Sequence, residues 1–454
     1  MAVSRVAAMA QPSRAWDSFR RSNWAERPGV PGHWRKRIAL NTPIFPESKF
    51  TMKSNCFNRF GRALIVVLLT GAVLPGFMPG ANAQLSFVFT NQPPHALPRR
   101  PSIILIVADG LGYGDLSCYG QTKFQTPNLD ALAAEGIRFT NYYAGDAASS
   151  PSRAALMLGR DSEHLRQRAG ANVPLASDEI TIAQLLKQSG YHTGLIGEWD
   201  LGDDATSGAP WLKGFDEFAG YLDPGGATNY YADYMWRYAP QSILTTNNQK
   251  EDFIGKEMIY PNTGGKKGRY TPDLCTKAAL NFVENNQPDQ FNRYRPFFLL
   301  LNCAIPGAGN GPVPTDAPYS EEPWPQPQKN KAAMISRLDG YVGQLQERLQ
   351  NLGLTNNVVI FFTSDTGPQK GGGVDPNFFQ SIVASNSLRV PMIVRWPDKI
   401  PAGQISPYAW TASDFLPTVA DIALARAAAN IDGRSVLPSL FGQTQTNRHN
   451  FLRK

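Results

Sequence analysis

The sequence predicts an α/β fold, a mostly parallel central sheet flanked by helices. Three observations carry this. Ile103–Ala108 (IILIVA) is an unbroken apolar run, which suits a strand covered on both faces. Comparable runs recur at Thr193–Ile196, Pro296–Leu301, Val358–Phe362 and Val390–Val394, with helical patterns between them. Strand–helix alternation calls for crossover connections and hence parallel pairing. With 454 residues, 42% of them hydrophobic, the chain can bury a sizeable core in one large or two ordinary domains.

The helices follow from spacing and punctuation. Pro127–Glu135 and Glu179–Gln188 are amphipathic, the second stopped by Gly190. Within Asp273–Glu284, Leu274, Cys275, Ala278, Ala279 and Phe282 fall on one helical face. Lys331–Leu352 predicts a long helix and Asp414–Leu424 a further one. The Pro/Gly-rich stretches 202–229 and 305–330 predict long irregular insertions, where binding loops tend to lie. There are no internal repeats.

The net charge of +7 is unevenly placed. Residues 1–83 hold 12 Lys+Arg and 3 Asp+Glu, whereas 84–454 hold 32 and 34, a balance of −2. The basicity belongs to the leader, and nucleic-acid binding loses its support. In that leader Lys53, Arg59 and Arg62 precede the apolar run Ala63–Leu74, and Ala81-Asn82-Ala83 follows. This is the pattern of a secretory signal, with cleavage before Gln84. The run is short for a bilayer span, so the mature chain is expected to carry no transmembrane segment. Met52 is then the expected start. Residues 1–51 read as an over-extended N-terminus, 52–83 as signal peptide, 84–100 as linker, 101–443 as the folded domain and 444–454 as a polar tail. Export to the periplasm or beyond is expected. Cys118, Cys275 and Cys303 of the mature chain are an odd set without framework spacing, so no disulfide is needed.

Chemistry in a parallel sheet belongs at the carboxyl ends of its strands. Asp109 follows IILIVA directly, and Asp365 follows VVIFFTS, both in glycine-bearing turns. Two carboxylates at one sheet edge repel unless a cation or proton lies between them. Calcium or magnesium would suit such an all-oxygen site; on spacing alone, solvated turn aspartates fit equally well. Ser149-Ser150-Pro151-Ser152-Arg153 reads as a helix start, with Pro151 at the first helical position and Ser149 just ahead of it. Ser149 would then face a positive dipole end suited to oxyanions. An ordinary capped helix accounts for the motif in isolation.

Together these segments resemble the sulfatase family of the alkaline-phosphatase-like superfamily, from about Ser102 to Gln443. The resemblance is carried by SIILIVADGLGYGDLSCYG, TPNLDALAAEGIRFTNYYAG, SSPSRAALMLGR, ITIAQLLKQSGYHTGLIGEWDLG, GFDEFAGYL, PFFLLL, VVIFFTSDTG and LRVPMIVRWPDKIPAG, in the family's order. It implies a calcium site built from an aspartate pair, an Asp-Asn pair and a modified Cys or Ser. The modified residue is a formylglycine whose hydrate attacks sulfur, supported by an Arg four positions on. Two Lys and two His hold sulfate and move protons.

Carried onto this chain, the resemblance leaves few of these groups. Asp109 matches the first metal acid, but Gly110 replaces its neighbour. Ser149 stands where Cys is usual; Ser serves in members matured by a radical enzyme, which would be a partner here. Arg153 matches. The family's Gly-Lys-Trp-His-Leu-Gly is Gly197-Glu198-Trp199-Asp200-Leu201-Gly202, so Glu198 replaces a Lys and Asp200 a His. Asp365 matches, with Thr366 in place of Asn. Gly307, after Pro306, replaces the second His. The last Lys falls near Gln380, with Lys370 as a substitute. His164 and His192 are expected to be structural. The chain also stops at Lys454, where relatives continue into a smaller sheet subdomain, which is therefore expected to be missing. The resulting expectation is a degenerate, weakly active or inactive sulfatase-like protein. It would retain weak calcium binding through Asp109, Asp365 and Ser149, with Thr366 as a further donor, and its ligand would be a sulfated glycan or small sulfate ester. A working Ser-type sulfatase and a non-catalytic glycan- or metal-binding protein are the alternatives.

Overall fold

The computed structural model describes residues 100–169, 173–239, 252–287, 295–307, 311–368, 388–427 and 430–445, all within the unit Phe89–Lys454. The signal peptide, Lys370 and Gln380 lie outside these residues.

In chain order the strands are β1 (Ser102–Asp109), β2 (Ile137–Phe139), β3 (Tyr142–Tyr143), β4 (His192–Glu198), β5 (Glu217–Tyr221), β6 (Tyr234–Ala239), β7 (Phe253–Met258), β8 (Phe297–Pro306), β9 (Val358–Ser364), β10 (Met392–Arg395), β11 (Gln404–Ser406) and β12 (Trp410–Thr411). Ten form one sheet in the order β11-β2-β10-β9-β1-β8-β4-β5-β6-β7, and β12 pairs with β3. The centre, β9-β1-β8-β4-β5, is parallel. Antiparallel β10 flanks it on one side, and antiparallel β6 and β7 on the other.

The helices are α1 (Pro127–Ala134), α2 (Ser149–Leu158), α3 (Ile182–Gln188), α4 (Pro224–Thr228), α5 (Thr271–Asn285), α6 (Gln326–Asn351), α7 (Phe415–Ile422) and α8 (Leu437–Leu440). Alternation along β1 shows why its run is continuous. Ile103, Leu105 and Val107 enter one core with α2, α3 and α7, while Ile104, Ile106 and Ala108 enter another with α1, α5 and α6. Both faces are dry, as the apolar run requires.

Three sequence expectations need correction. The helix expected from Glu179 begins at Ile182, because Thr181 caps it: its hydroxyl accepts from the Gln184 N–H, and the Gln184 side chain accepts from the Thr181 N–H. Stretch 202–229 is not wholly irregular, since it contains β5 and α4. Helix α2 starts at Ser149 itself, capped by Ala148, so Pro151 is its third residue and Ser149 lies within the first turn. The three described cysteines are free thiols.

Candidate active site

Four adjacent parallel strands bring the site residues to one edge. Asp109 ends β1, Glu198 ends β4, Gly307 follows β8 and Asp365 follows β9. The turns between them are pinned by backbone bonds: Asp365 N–H donates to the Ala108 carbonyl at 3.0 Å, and Gly307 N–H to the Asp109 carbonyl at 2.8 Å. The Ser364 hydroxyl accepts from Leu111 N–H at 2.9 Å. Gly110 has φ +65°, and a Cβ there would lie 3.1 Å from the Gly307 carbonyl oxygen. The turn after β1, close against Gly307 after β8, therefore favours glycine where the resemblance implies an acid.

Helix α2 is tied to this edge by its first turn. The Ser152 hydroxyl donates to the Asp365 carbonyl at 2.5 Å and accepts from Gly145 N–H at 3.0 Å. The Ser150 hydroxyl donates to the Asp200 carbonyl at 3.0 Å. Ser149 is half-buried. It shares a helix face with Arg153, four residues on.

Arg153 is the centre of the site, and it is 4% exposed. Its Nη1 lies 2.7 Å from Glu198 Oε1, and its Nη2 donates to Glu198 Oε2 at 2.9 Å. Its Nε donates to Asp365 Oδ2 at 3.0 Å, and Nη2 is 2.9 Å from the same oxygen. One guanidinium thus forks Glu198, through one hydrogen bond and one close ion-pair contact, and holds Asp365 from the side.

The acids outnumber that one cation. Burial pushes the Asp109 carboxyl well up, and Asp365 and Glu198 add to this against Arg153. Burial likewise raises Asp200 to about 7, opposed by Arg153 and reinforced by Glu198 and Asp365. Asp200 sits at φ +59°, with its N–H bonded to the Leu222 carbonyl. These two carboxyls hold protons in the range where ordinary aspartates are ionised, which makes Asp200 a candidate acid near neutrality.

Tyr230 is a site residue that sequence reasoning missed. Its hydroxyl would lie 2.7 Å from a Cβ at Gly307 and donates to the Ala304 carbonyl at 3.1 Å. Burial pushes the phenol up, with Asp109 and Glu198 adding to the shift. A side chain at 307 would have to displace this ring, which follows the stretch 202–229 read as irregular and lies in no segment with a periodic signal. The pairing of Glu198 with Arg153 was equally unreadable, since the two are 45 residues apart.

The donor set does not fit calcium, which takes six to eight oxygens at about 2.3–2.6 Å. Asp365 Oδ2 is held by Arg153, and its Oδ1 accepts from Gly110 N–H at 3.2 Å. Gly110 supplies no carboxylate. Among the described residues no group of three or more His, Cys, Asp or Glu is arranged to hold a metal. Buried Thr366 serves the turn: its carbonyl accepts from the Ser364 hydroxyl, and its own hydroxyl is a long 3.4 Å from Asp365 Oδ1. His164 pairs with Asp432, and His192 with Glu217, away from these residues.

A family model described as Sulfatase matches residues 101–425. N-acetylgalactosamine-6-sulfatase of Canis lupus familiaris is 30% identical over 376 residues, covering 77% of this chain and 68% of its own. Arylsulfatase A of Homo sapiens is 30% identical over 374 residues, covering 79% and 71%. Among solved structures, that of Ps i-CgsB in complex with k-i-k-neocarrahexaose is similar at a TM-score of 0.61 and 29% identity, covering 76% of each chain. The phosphonate monoester hydrolase of Agrobacterium radiobacter shares the fold at a TM-score of 0.53 and 19% identity.

Proposed function

The chain belongs to the sulfatase family, and from that premise we infer that it is an exported family member whose site turns over sulfate esters weakly or not at all. The observation that carries this reading is the fork between Arg153 and Glu198. A sulfate ester is an anion, and its cleavage needs cations around the sulfur and an acid for the leaving oxygen. Here the buried guanidinium already faces two carboxylates, and the position where the resemblance implies a Lys adds a negative charge. Unit charges ~4 Å apart interact by roughly 4 kcal/mol at an intermediate dielectric, so this exchange acts twice, by removing attraction and by adding repulsion. The ligand class this reading carries is a sulfated glycan or small sulfate ester, in keeping with relatives named as sulfatases of such compounds.

A second reading is favoured by the retained Ser149–Arg153 spacing and by Asp200, whose carboxyl is raised to about 7. In it, Ser149 is converted to formylglycine by a radical maturase, and Asp200 protonates the leaving oxygen. Turnover of a nitrophenyl sulfate by protein co-expressed with a Ser-type maturase separates the two. The first reading expects a rate at least ~10² below that of family enzymes, since loss of one transition-state stabiliser costs about that much. Family-like turnover in the unaltered chain, abolished by Ser149→Ala, would overturn it. Glu198→Lys with Asp200→His and Gly307→His is expected to raise the rate, with Tyr230 giving way to the new ring at 307. Export is checked by the intact mass of secreted protein, expected to start at Gln84.

A further inference from the structure

The mismatch between the calcium that the family resemblance implies and the donors present has a specific cause in the chain. Asp365 Oδ2 lies 2.9 and 3.0 Å from two guanidinium nitrogens of Arg153. A divalent ion bound to that oxygen would stand within about 5–6 Å of a buried positive charge, where low polarity leaves repulsion poorly screened. Arg153 is not free to swing aside. Glu198 grips its other edge through two contacts, and both partners are nearly inaccessible, with side-chain exposures of 5% and 4%. Turning the guanidinium outward would leave Glu198 buried without a counter-charge. Around the same point Gly110 contributes no carboxylate, and Tyr230 occupies the space beside Gly307 and Asp109.

We propose that the Arg153 guanidinium, clamped between Glu198 and Asp365, is the permanent internal cation of this site and takes the place of calcium there. The exchange of a Lys position for Glu198 then has a positive role. It supplies the second carboxylate that fixes Arg153 across the edge and makes the constellation self-contained. This goes beyond the functional reading and is tested without any sulfate ester, so the two fail separately.

The test is calcium binding by the purified full chain. Thermal unfolding of the unaltered protein is expected to be the same in 5 mM calcium chloride and in EDTA, within about 1 °C, and equilibrium dialysis with radioactive calcium is expected to find no ion that depends on Asp109 or Asp365. Arg153→Gln leaves Asp109, Glu198 and Asp365 without their cation. Its midpoint is expected to fall in EDTA and to rise by at least ~3 °C in calcium, as ligand-linked stabilisation predicts. Arg153→Lys retains the charge and is expected to show no calcium response. A saturable calcium shift in the unaltered protein that disappears in Asp109→Asn with Asp365→Asn would overturn the proposal. So would a folded Arg153→Gln that gains nothing from calcium. A shift that persists in the double variant places the ion elsewhere and leaves the proposal standing. If Arg153→Gln does not fold in either buffer, the dialysis comparison of unaltered and double-variant protein decides the matter alone.

Discussion

Strand β4 has acids beside both of its ends, Asp216 and Glu217 of the neighbouring β5 segment at the amino end and its own Glu198 at the other, and the two ends are balanced differently. At the amino end His192 Nε2 lies 2.8 Å from Glu217 Oε1, and Lys187 Nζ lies 2.8 Å from Asp216 Oδ1. Burial alone would raise the Asp216 carboxyl, but Lys187, the Thr193 N–H and His192 together hold it below the usual carboxylate range. At the carboxyl end Glu198 and Asp200 share one arginine with Asp365 and Asp109, and the last of these carboxyls and Asp200 are pushed upward. The same strand thus ends in a locally satisfied surface at one side and in a buried excess of acid at the other. The excess lies at the strand ends, where a parallel sheet gathers loops for binding and catalysis, and Arg153 is the cation set against it.

The largest break in that comparison should come from removing Arg153. Deleting one partner of a buried ion pair leaves an uncompensated charge and typically costs about 3–5 kcal/mol. Arg153→Met is therefore expected to lower unfolding free energy by that amount in urea titration. Arg153→Met combined with Glu198→Met should be less destabilised than the sum of the single changes, because the second removes the charge that the first strands. Additive costs would show that the fork contributes nothing.

A smaller effect concerns protons at the acidic end. Asp200, raised to about 7, and Asp109, raised by burial, hold protons in the folded state that they release near pH 4 when unfolded. The folded state binds more protons across that window, so stability is highest at the acid side and falls as pH rises toward 7. Asp200→Asn should flatten this slope. Asn also tolerates the left-handed backbone at φ +59°. Between pH 5 and 7.5 the unaltered protein is expected to lose roughly 2–3 kcal/mol more than the variant. Identical slopes would place the raised carboxyl elsewhere.

These charges also mark how far the sequence could be read. The central strands were legible because burial on both faces writes a continuous apolar run, and IILIVA admits little else. Asp109 and Asp365 were legible because strand ends locate themselves. Helix α2 starts two residues earlier than its Pro151 suggests, with Ser149 and Ser150 in its first turn and the Ser150 hydroxyl bonded to the distant Asp200 carbonyl. Tyr230 and the Arg153–Glu198 fork could not be read at all. Both depend on which strand ends become neighbours, and no local period records that. The Lys that the resemblance implies at position 198 pointed to lost attraction, but not to the arginine that Glu198 binds.

The smallest expected effect is at the amino end of β4, and it works in the opposite direction with pH. Lys187 has a side-chain exposure of 46%, so its pairing with Asp216 is heavily screened. Lys187→Ala is expected to cost no more than about 1 kcal/mol, and less in high salt, by urea titration at two ionic strengths. Because the folded Asp216 carboxyl lies below its ordinary value, its contribution is present above about pH 4 and is lost as pH falls through the folded value. Asp216→Asn should therefore weaken the protein at pH 7 and make little difference near pH 2.5, whereas Asp200→Asn should matter most at the alkaline side. If both variants lost stability with the same pH dependence, the two ends of the strand would not differ in charge balance as their partners imply.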